Sequence, residues 1–251
     1  MKRNRINSRN IIIIYAILIL MNFVGSINDR NESKSNNANS EKTFVNNRKR
    51  KLEDENYIIV KYNEDVEYPN GFQNEDRTNV KYIKYNDHDY GIQEALSISA
   101  NTEVKIYILP EATSLEKLFY SFVDSKVEKI ISVDFSNFDS SLITSLDALF
   151  FGCSSLQNIN FSNFITSKVT RMVDTFYGCI KLQSLDLSNF DTSEVTFMAG
   201  TFRGCQQLQS LRISSFDTSK VVDMGNMFCE CTQLQSLDLS NFNTPLLLVI
   251  I

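Results

Sequence analysis

The second half of the chain repeats itself every 26 residues, in five separate columns at once. Leu156, Leu182, Leu208 and Leu234 keep this step, as do Cys153, Cys179, Cys205 and Cys231. So do Phe138, Phe164, Phe190, Phe216 and Phe242. Phe150, Phe176, Phe202 and Phe228 form a fourth column, and Leu146, Met172, Met198 and Met224 a fifth. A period of this length marks a unit too small to close a core alone, which therefore buries its apolar side chains by stacking on its neighbours.

Within the unit at 182–205, Leu185 and Leu187 flank Asp186, the alternation of a half-buried strand. Asp191, Thr192 and Ser193 then offer side chains suited to a helix N-cap. Val195, Met198 and Phe202 follow at helical spacing, and Gly204 suits a helix stop. This predicts parallel strands over 131–135, 156–161, 182–187, 208–213 and 234–239. It predicts helices over 143–150, 169–176, 195–202 and 221–228. A degenerate helix at 114–122, with 104–109, is expected to form an N-terminal capping repeat.

The run Leu-Asp-Leu-Ser-Asn-Phe-Asp-Thr-Ser at 185–193, followed by Val195-Thr196, Met198, Phe202 and Gly204-Cys205, resembles the BspA-like leucine-rich-repeat surface proteins. The motif recurs at 159–179 and 237–244, and the resemblance covers about residues 104–244. Phe197, Glu230 in the Gly204 column, and Leu246 to Ile251 depart from it. It implies an α/β leucine-rich-repeat solenoid with one short helix per repeat. It also implies cell-surface adhesion or host-protein binding.

The rest of the chain divides by composition. Lys2, Arg3, Arg5 and Arg9 precede an apolar run at 11–24, broken only by Asn22. As a helix that run spans about 21 Å, short of the ~30 Å hydrocarbon core. Residues 1–26 therefore read as a signal peptide cut after Ser26, with an uncleaved signal anchor as the alternative. Residues 27–56, rich in Asn, Ser, Lys and Glu, are expected to be a disordered linker. Its Arg48-Lys49-Arg50-Lys51 is read as a solvated charge run. Residues 57–103 read as a small β-rich segment, with strands at 57–62 and 80–85 and another at 104–109. The solenoid is expected over 104–251 and, because 245–251 do not continue the motif, is expected to be truncated.

The cysteine column cannot converge on a metal, since its members stack in a line rather than surround a point. Cys153, Cys179, Cys205 and Cys231 are read as a ladder of buried thiols, with Cys229 the most exposed. Asn137, Asn163, Asn189 and Asn241, with Ser215 between, are read as a structural ladder bonding to the adjacent coil. The outward strand column, Asp134, Asn160, Asp186, Arg212 and Asp238, is the expected protein-binding strip. Of two glycosylation sequons, Asn31-Glu32-Ser33 is expected to be usable, and Asn160-Phe161-Ser162 is not, because its Phe is expected in the core.

No nucleophile elbow, phosphate loop or zinc-protease motif occurs, and the one histidine, His88, lies in a polar stretch. A net charge of −5 argues against non-specific nucleic-acid binding. The expectation is a secreted or surface protein that binds a protein partner, without enzymatic activity and without a cofactor. Any membrane contact would be through the N-terminal anchor. An intracellular scaffold is the alternative.

Overall fold

The backbone hydrogen bonds of the repeat run from coil to coil, and this decides the architecture. The computed structural model describes residues 56–68, 79–120 and 125–242. All lie in the second of the two units into which the chain divides, Lys51–Ile251. The signal segment, most of the linker and residues 243–251 fall outside the described residues.

In the stretch expected to be helical, Met198, Gly200, Phe202 and Gly204 donate their N–H groups to the next coil. The acceptors are the carbonyls of Asp223, Gly225, Met227 and Cys229, at 2.8 to 3.0 Å. Met172, Asp174, Phe176 and Gly178 do the same one coil earlier. A helix needs every N–H for a carbonyl four residues back. Here alternate N–H groups leave the coil, and tight turns such as Arg203 N to Gly200 O fill the gaps.

The backbone also enters the left-handed region twice per coil. Ala148, Asp174, Gly200 and Asn226 hold one such column (φ 52, 53, 61 and 56), and Gly152, Gly178, Gly204 and Glu230 the other (φ 74, 69, 73 and 65). Such residues interrupt a right-handed helix. At Gly204 a Cβ would also meet the backbone of Gly178 at 3.4 Å, so the coils approach at a point where glycine is needed. The helices expected at 143–150, 169–176, 195–202 and 221–228 therefore do not form, and of the one expected at 114–122 the described residues 114–120 are not helical. Among the described residues the one helical element is the 3₁₀ helix Ser125–Lys129. The expected α/β leucine-rich-repeat solenoid is corrected to a β-rich fold with mixed sheets.

Strands β1 (Tyr57–Tyr62), β2 (Val66–Tyr68), β3 (Val80–Tyr85), β4 (His88–Tyr90), β5 (Leu96–Ile98) and β6 (Glu103–Ile108) precede the repeats. Strands β7 (Ile130–Asp134), β8 (Asn158–Asn160), β9 (Ser184–Asp186) and β10 (Ser210–Arg212) belong to them. The repeat strands after β7 are shorter than the alternation predicts, and none forms at 234–239. One sheet runs β4-β3-β6-β1-β7-β8; β9 pairs with β10, and β2 with β5.

Within that sheet β1 is antiparallel to both β6 and β7, while β7 and β8 are parallel. The residue 57–108 segment thus covers the open edge of the first coil, an edge that would otherwise offer unpaired backbone groups. Asn56 ties the join, accepting from Asp139 N at 2.9 Å and donating to Ile108 O at 3.3 Å. β6 sits between β1 and β3 rather than in a capping repeat with 114–122. Residues 113–120 still meet the stack, through a parallel bridge from Ser114 to Ser145.

Inside the coils the repeated side chains line up. Phe119, Phe150, Phe176, Phe202 and Phe228 stack with centroids 5.5 to 5.6 Å apart. Each thiol of the cysteine column donates to a phenylalanine carbonyl one coil back: Cys153 to Phe119, Cys179 to Phe150, Cys205 to Phe176, Cys231 to Phe202, at 3.0 to 3.4 Å. Burial pushes the Cys179 and Cys205 thiols well above their ordinary range, and Cys231 to about 11. Asn163 and Asn189 donate to Ser136 O and Phe161 O of the preceding coil, and Ser215 to Leu187 O. Asn241 reaches Ser214 O, whereas Asn137, in the first coil, bonds to its neighbour Ser136.

A buried hydroxyl column completes the interior. Ser140, Thr166 and Thr192 each bond to both the N–H and the carbonyl of a single residue in the next coil: Ile165, Asp191 and Asp217. Asp191, Thr192 and Ser193 thus cap no helix. Thr192 links coils, and Asp191 closes a tight turn onto Ser193 N at 3.1 Å.

Candidate functional site

Two surfaces emerge from this stacking. The first is the outer face of the sheet. Ile58, Val60, Val104, Ile106, Ile83 and Val133 point inward, with 1% exposure or less. Alternation then sends Tyr57, Ile59, Lys61, Lys84, Lys105, Tyr107 and Asp134 outward. The register sets them in rows across the strands. One row reads Asp89, Lys84, Lys105, Ile59, Asp134, Asn160, and the next Tyr82, Tyr107, Tyr57. Tyr82 and Tyr107 stack at 4.2 Å, Tyr57 leans on Tyr107 at 5.2 Å, and the Lys105 ammonium lies 4.6 Å from the Tyr57 ring.

The expected partner-binding strip continues this face one coil at a time. Its carboxylates and amide have a local duty: Asp134, Asn160, Asp186 and Asp238 each accept, through Oδ1, the N–H of the serine two residues on (Ser136, Ser162, Ser188, Ser240). Asn160 donates to Asp134 at 3.0 Å, and Arg212 lies 3.3 Å from Asp186. The amide of the second sequon is thus engaged on both sides. Hydrogen bonds from Ser188 and Ser240 hold the Asp186 and Asp238 carboxyls below the usual carboxylate range.

The second surface lies on the turn side of the coils. Tyr120, Phe151 and Tyr177 form a half-exposed column with ring centroids 4.9 and 4.3 Å apart, and the Arg203 guanidinium sits 5.5 Å from Tyr177. Beside it Arg171 bonds through Nε to Asp147 at 2.6 Å and lies 4.8 Å from the Phe197 ring. Arg203 forms an ion pair with Glu230 at 3.7 Å, and its Nε is buried without a hydrogen-bond acceptor. This column keeps the repeat step from Phe151 through Tyr177 and Arg203 to Cys229, a signal available in the sequence but outweighed by the more uniform core columns.

Asp174 lies under this surface. Burial raises its carboxyl above the usual range; Arg203 opposes the shift and Asp147 adds to it. The folded chain therefore holds this proton more tightly than the unfolded chain, and Asp174 detracts from stability as pH rises through its folded value. Asp174 also sits at φ +53, where asparagine is better tolerated than most residues. Asp174→Asn is expected to raise the denaturation midpoint at neutral pH and to lose that advantage in acid. Asp186, Asp191, Asp217 and Asp238, all shifted downward by serine hydrogen bonds, act oppositely and withdraw support as pH falls through their folded values. Urea titrations of both proteins at several pH values measure the difference.

Among the described residues no three His, Cys, Asp or Glu side chains converge on a metal-sized site. An open cleft of about 420 Å³ between the last two coils is lined by Ser215, Phe216, Asp217, Ser240 and Asn241. Its one carboxylate, Asp217, accepts the Ser219 N–H at 2.8 Å.

Residues 113–242, just over half of the chain, match the family described as Mycoplasma protein of unknown function, DUF285. No curated protein and no solved structure matches the chain. The resemblance to BspA-like leucine-rich-repeat surface proteins is corrected by this match and by the absence of a helix in each repeat. The letters behind it, Leu-Asp-Leu-Ser-Asn-Phe, encode a short strand and an aspartate-capped turn, which a β-rich stack uses equally well.

Proposed function

We propose, for a chain that belongs to the DUF285 family and takes no function from its description, that it is a non-enzymatic binding protein acting outside the cytosol. The observation that carries this reading is the contrast between columns. Inside, Phe, Cys and Leu hardly vary from coil to coil; outside, the turn-side column changes from Phe151 to Tyr177 to Arg203 on the same rigid frame. A protein partner is recognised there by half-exposed aromatic rings and the arginine beside them, the residue types that dominate binding energy at protein interfaces. The basic N-terminus and short apolar run support export.

Two measurements test this. Protease applied to intact source cells is expected to remove the chain. The purified chain is expected to bind at least one member of an immobilised panel of serum and matrix proteins, with affinity reduced roughly tenfold or more by Tyr177→Ala with Arg203→Ala. A chain protected until the cells are lysed would sink the reading and favour the intracellular scaffold.

A further inference from the structure

The last coil leaves one edge of the stack open. In the two coils before it, alternate N–H groups on the turn side reach carbonyls 25 residues on: Met172 to Phe197 and Asp174 to Ala199, then Met198 to Asp223 and Gly200 to Gly225. The matching groups of Met224, Asn226, Phe228 and Glu230 find no acceptor among the described residues. Beside them Cys231, Leu234, Leu237 and Leu239 are only half-buried, although Cys205 and Leu208, one coil earlier, are fully covered. An edge of unanswered donors over apolar side chains calls for a chain that presents carbonyls. A two-fold contact with the same edge of a second copy sets N–H against N–H. A head-to-tail contact meets an end already occupied, where the Asn79 amide donates to Ser114 O at 2.8 Å and β1 pairs with β7.

We propose that residues 243–251 of the same chain cover the turn-side half of this edge as a partial further coil. Their outward letters abandon the repeat, but their inward letters keep it. Thr244, Leu247 and Ile250 lie 26 residues after Thr218, Val221 and Met224, all of them buried. They supply a hydroxyl and two aliphatic side chains at the positions where each earlier coil has them. Leu246 and Leu248 follow Lys220 and Val222, which face solvent. The 25-residue step aims Met224 N at Val249 O and Asn226 N at Ile251 O, and gives Phe228 and Glu230 no acceptor in this segment. Joined to the edge through Phe242, the segment docks without the loss of translational freedom that a separate molecule suffers. The inference does not rest on export of the chain or on partner binding at the turn-side rings, and it stands or falls apart from them.

Amide hydrogen exchange of the full chain in mild detergent tests it. Relative to their intrinsic rates, Met224 and Asn226 are expected to exchange roughly tenfold or more slowly than Phe228 and Glu230, because only the first pair gains acceptors. That comparison needs no variant to fold. Ending the chain at Thr244 is expected to erase the difference while exchange at Met172 and Asp174, deeper in the stack, stays unchanged. Leu247→Asp with Ile250→Asp is expected to do the same, whereas Leu246→Asp with Leu248→Asp is expected to leave the protection in place. Equal exchange at all four amides, a difference that survives removal of 245–251, or greater sensitivity to the outward pair than to the inward pair would overturn the proposal. So would protection that rises with protein concentration, which would place a second copy on the edge.

Discussion

Phe176→Ala is expected to lower the unfolding free energy by about 3–5 kcal/mol, the range for emptying a fully buried aromatic site. The ring has no solvent exposure and stacks between Phe150 at 5.6 Å and Phe202 at 5.5 Å, with the edge of Phe161 at 6.3 Å. Removing it separates two halves of one column, and each lost aromatic pair adds roughly 0.5–1.5 kcal/mol to the cost. Domains of this size are stable by only about 5–15 kcal/mol, so the variant is expected to be partly unfolded at physiological temperature. Phe228→Ala is the comparison. That ring is 9% exposed and stacks on Phe202 alone, so its loss is expected to cost less. Equal costs in urea denaturation would mean that the column does not act as a continuous stack.

Thr192→Val is expected to cost about 1–3 kcal/mol although the two side chains have nearly the same shape. The Thr192 hydroxyl accepts the Asp217 N–H at 2.8 Å and donates to the Asp217 carbonyl at 3.0 Å, from a side chain with 1% exposure. Valine removes both hydrogen bonds, at roughly 0.5–1.5 kcal/mol each where the partner residue is exposed. Thr192→Ser keeps the hydroxyl and is expected to lose about 1 kcal/mol or less, the effect of one methyl group. Equal destabilisation by valine and serine would show that packing, rather than the double hydrogen bond, gives this column its value.

How legible these features were differs from column to column. Leu185 and Phe190 announced burial because a stack repeats its interior, and both are buried. Cys153, Cys179 and Cys205 were readable as buried thiols, whereas Cys231 is only half-buried, and none was readable as a donor to a Phe carbonyl, since a thiol that bonds and one that merely fills space share one letter. The hydroxyl column, Ser140, Thr166, Thr192 and Thr218, was equally periodic and went unread because threonine at a turn suggests a helix cap. For the outward strip, the sequence showed exposure but not that Asp186 and Asp238 also close their own turns.

The helix expectation failed for a definable reason. Val195, Met198 and Phe202 are spaced as one face of a helix, and they do point inward. Two tight turns separated by the left-handed residue Gly200 produce the same inward spacing. The alternative had a trace in Asp174, Gly200 and Asn226, three residue types that tolerate positive φ, repeating in a single column.

The periodic side chains by themselves determined that 26-residue units pile up and which residues go inside, because burial depends on side-chain chemistry and the period repeats that chemistry. What the tertiary structure decided was where the backbone N–H groups go, to the next coil rather than along a helix. It also decided how β1 closes the first edge and brings Lys84, Lys105 and Asp134 onto one face. Backbone groups are chemically alike at every position, so their partners follow from which chains come to lie side by side. No single unit carries that information.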